Sequence, residues 1–118
     1  MTAAVRSLVQ GLVQANRIMV FSKSYCPFCL KAKEVLQEVG VKNAEVLEIE
    51  ERSDEQEIQD VLKDMTGVRT VPSVFVDQEY LGGGTDLERM KDGGQLQTLL
   101  RDKGLINGNG QNQTTGKL

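Results

Sequence analysis

The stretch Ile18-Met19-Val20-Phe21-Ser22-Lys23-Ser24-Tyr25-Cys26-Pro27-Phe28-Cys29 decides the fold prediction, and it holds the only two cysteines of the chain. Its apolar start predicts a buried strand, and the residues from Pro27 to Val39 predict a helix. Proline suits the first helical position, because the N–H that it lacks would have no partner there. Cys26 is therefore expected at the positive end of the helix dipole, which favours a thiolate, and Cys29 one turn further along the same face.

The composition places the chain among ordinary globular proteins. Its 118 residues fit one domain, with 39% hydrophobic and 26% charged residues. A net charge of −3 argues against a general nucleic-acid-binding protein, which needs a basic surface. No apolar run approaches the ~20 residues that a membrane span needs. The N-terminus lacks a signal-peptide pattern, so a cytoplasmic location is expected, with the mitochondrion as the alternative.

Cysteine and histidine usage points to redox chemistry. The chain has no histidine, so a Cys–His nucleophile pair and a mixed Cys/His metal site are both excluded. Two cysteines cannot close a four-ligand zinc site within one chain. A secreted disulfide scaffold would carry more cysteines at wider spacing. The sequence therefore predicts a redox-active pair.

Apolar periodicity and turn residues predict an α-β-α-β-α-β-β-α-α order, which is an α/β chain with a mixed sheet and helices on both faces. The third helix is predicted to start at residues 53–56, with Gln56 in a capping box, and to end at Gly67. A further helix is predicted to start at Thr85. We expect one domain over residues 1–106, followed by a polar and disordered tail over residues 107–118.

Three segments, in this order and at about this spacing, resemble the signatures of dithiol glutaredoxins: Lys23-Ser24-Tyr25-Cys26-Pro27-Phe28-Cys29, Thr66-Gly67-Val68-Arg69-Thr70-Val71-Pro72 and Leu81-Gly82-Gly83-Gly84-Thr85-Asp86. The resemblance covers roughly residues 5–106. It implies a thioredoxin-like fold, with a four-stranded mixed β-sheet flanked by about five α-helices. It also implies a glutathione-dependent thiol–disulfide oxidoreductase that reduces glutathione mixed disulfides and protein disulfides and contributes to cell redox homeostasis.

The resemblance also implies roles for the two cysteines and Lys23. Cys26 is the expected nucleophile, and the helix end and the Lys23 ammonium are expected to lower its pKa. Cys29 is the expected resolving thiol, which forms the redox-active Cys26–Cys29 disulfide. Tyr25 is expected near the bound thiol. No metal is expected.

The remaining predicted residues are implied to bind glutathione as the co-substrate. Gln59, expected on a helix surface, joins Arg69 and Lys23 around the glycine carboxylate. Three further groups complete the site: Thr70-Val71-Pro72 with a cis bond before the proline, Gly83 as a point of close backbone approach, and Thr85 with Asp86 around the γ-glutamyl end.

Three alternatives remain open at this stage. A thioredoxin is disfavoured because the chain has no tryptophan. An iron–sulfur carrier would use Cys26 from two chains and two glutathiones, and Pro27 disfavours it. The third alternative is a dimer that holds one zinc through four thiolates. The expected partners are glutathione and glutathionylated or disulfide-containing proteins, with no nucleic acid and no membrane, and the protein is expected to be a monomer.

Overall fold

The computed structural model describes residues 3–107 and contains, within that range, five α-helices and four β-strands. In chain order they are α1 (Ala3–Ala15), β1 (Ile18–Ser22), α2 (Pro27–Glu38), β2 (Glu45–Glu48), α3 (Glu55–Thr66), β3 (Ser73–Val76), β4 (Glu79–Gly82), α4 (Gly84–Asp92) and α5 (Gln95–Asp102). The predicted order of elements is confirmed. Residues 108–118 of the predicted tail lie outside the described residues.

The four strands form one mixed sheet in the order β2-β1-β3-β4. β1 pairs in parallel with β2, to which it is connected through the helix α2. β1 also pairs with β3, in the antiparallel direction. β3 and β4 form an antiparallel hairpin. β1 is thus a central strand, and all five of its residues are buried. This is why its sequence is continuously apolar up to Ser22.

Two apolar clusters cover the two faces of the sheet. Successive side chains of β1 point to opposite faces, so Met19 and Phe21 pack with α1 and α3. Ile18 and Val20 pack with α2, α4 and α5 on the other face. The segment that carries Cys26 and Cys29 begins at the carboxyl end of β1.

The hairpin between β3 and β4 is tied to the start of β1 by an ion pair. Asp77 and Gln78 both have positive φ angles, of 47° and 71°, as the tightest hairpin turns require. The guanidinium of Arg17 donates two hydrogen bonds of 2.8 Å to the Asp77 carboxylate. Lys103, after α5, lies 3.5 Å from the same carboxylate.

Two local predictions were wrong. The capping box at α3 does not form, because Asp54 is the N-cap and Gln56 is the second helical residue, whose oxygen accepts a hydrogen bond from Arg69. α4 begins at Gly84, one residue before the predicted Thr85. The end of α3 at Gly67 was predicted correctly, with Gly67 in the left-handed conformation at φ 84°. Among the described helices none is long and apolar enough to cross a membrane.

Candidate active site

Cys26 lies at the end of the loop that connects β1 to α2. It is the N-cap residue of α2, with Pro27 at the first helical position, as predicted. Cys26 is partly exposed and Cys29, one turn along, is completely buried, and both are free cysteines. The arrangement presents one sulfur to substrates and keeps the other behind it.

The environment of Cys26 favours its thiolate. Burial alone would raise the pKa of this thiol. Hydrogen bonds from the backbone N–H and the side chain of Cys29, a further one from the N–H of Phe28, and the charge of Lys23 outweigh that effect. The pKa of Cys26 is therefore lowered, which is the condition for a thiol to act as a nucleophile near neutral pH.

The environment of Cys29 raises the pKa of its thiol. Its burial raises its pKa, although the backbone N–H of Lys23 donates to its Sγ over 3.3 Å and opposes the shift. A hydrogen bond to Cys26 and the negative charge of an ionised Cys26 also raise the pKa of Cys29. Cys26 is therefore the thiol of the pair that loses its proton more readily.

The segment before Cys26 is held by a contact that sequence reasoning missed. The backbone N–H and the hydroxyl of Ser24 both donate to the carboxylate of Glu50, which follows β2. The Ser24 hydroxyl is the main cause that lowers the pKa of Glu50. This contact fixes the residues between β1 and α2. No local pattern signals it, because the two residues are far apart in sequence.

A groove of about 430 Å³ is lined in part by Phe28, which lies between the two cysteines in sequence. The bond between Val71 and Pro72 is cis, as the resemblance implies. The groove brings together six of the predicted residues: Thr70, Val71, Pro72, Gly83, Thr85 and Asp86. Its size falls within the range of ordinary ligand sites.

Four further residues line this groove that were not predicted as site residues: Phe28, Val68, Tyr80 and Gly84. Phe28 is 60% exposed and Val68 is 40% exposed, which is unusual for large apolar side chains. Burial and the nearby Asp86 raise the pKa of Tyr80, so its phenol stays protonated. Tyr25 is also strongly exposed, next to Cys26 in sequence. The sequence signal for Phe28 was its position inside the Cys-x-x-Cys motif.

The start of α4 forms one end of the groove. The N–H of Gly83, the N-cap residue, donates to Asp86 Oδ2 over 2.9 Å. Asp86 is thus the third helical residue and not the N-cap that its residue type favours. A Cβ at Gly84 would overlap the carbonyl oxygen of Phe28. The backbones of α4 and α2 approach this closely because residue 84 has no side chain.

The three predicted carboxylate-binding residues lie around the first half of α3. Lys23 Nζ is 3.0 Å from Glu55, and Arg69 Nε is 3.0 Å from Asp60. The expectation that Gln59 lies on a helix surface was wrong, since its side chain is only 6% exposed. Its Nε2 donates to the carbonyl of Arg69 over 3.3 Å. Gln59 therefore contacts the segment that precedes Pro72.

Comparison with known proteins decides the family. The family model described as Glutaredoxin matches residues 18–81, which is more than half of the chain. The chain belongs to the glutaredoxin family. Glutaredoxin-C8 of Oryza sativa subsp. japonica is 46% identical over 100 residues, which cover 84% of this chain and 74% of that glutaredoxin.

Solved glutaredoxin structures share the fold. Oxidized glutaredoxin 2 from Chlamydomonas reinhardtii superposes with a TM-score of 0.81 at 41% identity, over 88% of this chain and 97% of that one. A buckwheat glutaredoxin–glutathione complex gives a TM-score of 0.80 at 32% identity, over 91% of this chain and 100% of that one. The expected thioredoxin-like fold is thereby confirmed.

Membership in the glutaredoxin family establishes the activity. The protein is a glutathione-dependent thiol–disulfide oxidoreductase, with glutathione as the reductant, and the thioredoxin alternative is set aside. In the part of the glutaredoxin described, residues 3–107, no group of three or more His, Cys, Asp or Glu residues is placed to hold a metal ion.

Proposed function

We propose that this glutaredoxin reduces glutathione mixed disulfides through Cys26 alone, and protein disulfides through the Cys26/Cys29 pair. The observation that supports this most directly is the contrast between the two sulfurs. Cys26 is partly exposed with a lowered pKa, and Cys29 is buried with a raised pKa. The Cys26 sulfur is suited to attack the substrate, and the Cys29 sulfur is suited to react in a later step.

In the first half-reaction, the Cys26 thiolate attacks the glutathione sulfur of a mixed disulfide. A Cys26–glutathione disulfide forms, and the substrate sulfur leaves as a thiolate that takes a proton from water. A second glutathione then attacks, as its thiolate, the sulfur of the bound glutathione. Oxidised glutathione forms and Cys26 leaves as a thiolate, which its lowered pKa makes a good leaving group. The net reaction consumes one free glutathione, and the other half of the oxidised glutathione comes from the substrate.

Reduction of a protein disulfide needs the second cysteine. Cys26 attacks one substrate sulfur and releases the other as a thiolate. Cys29 then loses its proton and attacks Cys26, so that the substrate is released and the Cys26–Cys29 disulfide forms. Two glutathiones reopen that disulfide in turn. Once Cys26 is bonded to substrate it no longer carries a charge, so the repulsion that raises the pKa of Cys29 is removed.

The groove is proposed to hold glutathione. We propose that the N–H groups at the start of α4, with Thr85 and Asp86, bind the γ-glutamyl end, and that the Val71 backbone binds the cysteine; the presence of these residues in one groove supports this. Lys23 and Arg69 supply positive charge for the glycine carboxylate. Gln59 acts through the Arg69 carbonyl. The buckwheat structure, which contains glutathione on the same fold, supports this placement.

Further parts of the proposal concern the state of the protein. We propose a monomer that works without a metal on glutathionylated or disulfide-containing proteins. We also propose a cytoplasmic location, which is supported by the use of cysteine as a reactive pair and not as a disulfide scaffold. Protein purified anaerobically should be colourless and contain no stoichiometric zinc. A brown protein with visible absorption would contradict the metal-free proposal.

The first test measures glutathione-dependent turnover of a glutathionylated peptide. Cys29→Ser should keep this activity, and Cys26→Ser should abolish it. Cys29→Ser should also lose most of its activity towards an intramolecular protein disulfide. Loss of peptide turnover in Cys29→Ser would show that both thiols are obligatory and would overturn the one-cysteine route. Retained turnover in Cys26→Ser would overturn the assignment of the nucleophile.

A further inference from the structure

The ammonium of Lys23 already has a carboxylate partner within the protein. Its Nζ lies 3.0 Å from Oε2 of Glu55, and the two side chains are only 19% and 25% exposed. Glu55 is the first residue of α3. Because the pair is largely shielded from solvent, salt and water screen it less than an ordinary surface pair. Pairing with Glu55 also raises the pKa of Lys23, so the ammonium stays charged.

Arg69 has a similar but more open arrangement. Its Nε lies 3.0 Å from Asp60, and its Nη2 donates to the Gln56 oxygen over 2.7 Å. The side chains of Arg69 and Asp60 are 39% and 48% exposed, so this ion pair is weaker than the pair at Lys23. Lys23 and Arg69 are thus both paired with carboxylates of α3, and Glu55 makes the stronger of the two ionic contacts.

We propose that Glu55 is an internal competitor of glutathione, because its carboxylate holds the Lys23 ammonium to which the glycine carboxylate of glutathione would bind. The inference rests on the proposed glutathione site and adds to it a residue that sets affinity. An ammonium has three N–H donors, so two carboxylates can share it. They then lie close together and repel each other. Glutathione must therefore either displace Glu55 or bind beside a like charge.

This arrangement weakens binding of the glutathione carboxylate and partly cancels the field of Lys23 at Cys26. Both effects act through Lys23, so Glu55 is a positioning residue. Removing its charge should strengthen binding and increase the thiolate character of Cys26. A residue that merely orients Lys23 would produce the opposite result, since its loss would weaken binding.

The test compares Glu55→Gln with Glu57→Gln. Each variant removes one negative charge from the first turn of α3, and each retains a side chain of nearly the same shape. Only the first removes the charged partner of Lys23. For Glu55→Gln, KM for a glutathionylated peptide should fall roughly two- to fivefold, the range of a partly shielded ion pair. The alkylation midpoint of Cys26 should move to lower pH. Glu57→Gln should leave both close to wild type.

Two further comparisons tie the effect to Lys23 and to the ligand carboxylate. In a Lys23→Met background, Glu55→Gln should no longer change KM, as a double-mutant cycle requires of coupled residues. With a peptide carrying glutathione whose glycine carboxylate is amidated, Glu55→Gln should not lower KM even in the Lys23 enzyme.

The outcomes separate this inference from the proposed function. A wild-type protein without glutathione-dependent turnover would overturn the proposed function. An active wild type in which Glu55→Gln leaves KM unchanged, or raises it, would overturn only the role of Glu55. A lowered KM that persists in the Lys23→Met background would also overturn that role, because the effect would then be a general charge effect.

Discussion

The backbone N–H of Lys23 donates a hydrogen bond to Sγ of Cys29 over 3.3 Å, while the Lys23 ammonium lowers the pKa of Cys26. One residue therefore acts on both sulfurs, through its main chain on the buried one and through its side chain on the exposed one. A side-chain substitution separates the two actions, because it removes the charge and leaves the N–H in place.

We predict that Lys23→Met raises the pKa of Cys26. The pKa is lowered in the wild type, so Cys26 stays a thiolate until the pH falls through that lowered value. In the variant this loss begins at a higher pH. Measurement of the iodoacetamide alkylation rate against pH, with Cys29→Ser as the background, gives the midpoint. Lys31→Met, which removes from α2 a positive charge that is paired with Glu88, is the control. An unchanged midpoint in Lys23→Met would exclude the charge contribution.

Gln59→Leu should raise KM for glutathionylated peptides several-fold and leave kcat nearly unchanged. The substitution removes the hydrogen bond to the Arg69 carbonyl and so loosens residues 69–72 beside the groove. An unsatisfied carbonyl costs ~1–3 kcal/mol. The substitution also removes Gln59 Oε1, which is buried without a partner among residues 3–107, and this offsets part of that cost. Steady-state kinetics and urea unfolding measure the two effects.

Gln97→Leu is a matched control for this prediction. Its Nε2 donates to the Lys91 carbonyl over 3.1 Å, and its Oε1 is likewise buried without a partner in the described part of the chain. It lies in α5, away from the groove. Stability should change by a similar amount, and KM should not. Equal KM changes in the two variants would show that Gln59 acts only through overall stability.

Asp86 should have two separable roles. Asp86→Asn keeps an acceptor for the Gly83 N–H, so the melting temperature should stay near wild type while KM rises through the lost charge. Asp86→Ala removes the capping contact as well and should also cost about 1 kcal/mol of stability. Thermal unfolding and steady-state kinetics on both variants test this. A KM for Asp86→Asn equal to that of wild type would limit Asp86 to the helix cap.

The Arg17–Asp77 pair should contribute stability that acid removes. Arg17 is the main cause that lowers the pKa of Asp77 from 3.8 to about 2. Because the folded value is depressed, the contribution is present in full above pH ~4 and is lost as the pH falls through about 2. Asparagine also tolerates a positive φ, so Asp77→Asn preserves the turn.

The stability difference between wild type and Asp77→Asn should therefore be largest near neutral pH and shrink between pH 4 and 2. Urea unfolding at a series of pH values measures it. A difference that stays constant over this range would mean that the carboxylate charge is not what stabilises the hairpin.

Much of the fold could be predicted because its signals are local. The apolar run of β1, the proline at the start of α2 and the glycine after α3 each act within a few residues, and the structure has them where the sequence places them. The capping box at α3 failed for the opposite reason. Gln56 is engaged by Arg69, which the chain brings back only after α3 has ended.

The site residues also divide into those with a local sequence signal and those positioned by distant segments. Cys26 and Cys29 could be found from their spacing, and the groove residues from the family motifs. The burial of Gln59 and the pairing of Glu55 with Lys23 could not, because each depends on how a distant segment packs against α3. Helical periodicity describes one helix and carries no information about the loop that covers it.

The close approach of α4 to α2 has a consequence for how this enzyme can diversify. Part of the groove is lined by Gly83 and Gly84, where an added Cβ would meet the carbonyl oxygens of Pro72 and Phe28, so this part can change only if the scaffold changes. The rim of the groove is formed by Phe28 and Val68, two exposed side chains on which the core does not depend. Substitution of Phe28 or Val68 can therefore alter which substrate proteins bind, while the reaction at Cys26 and Cys29 stays the same.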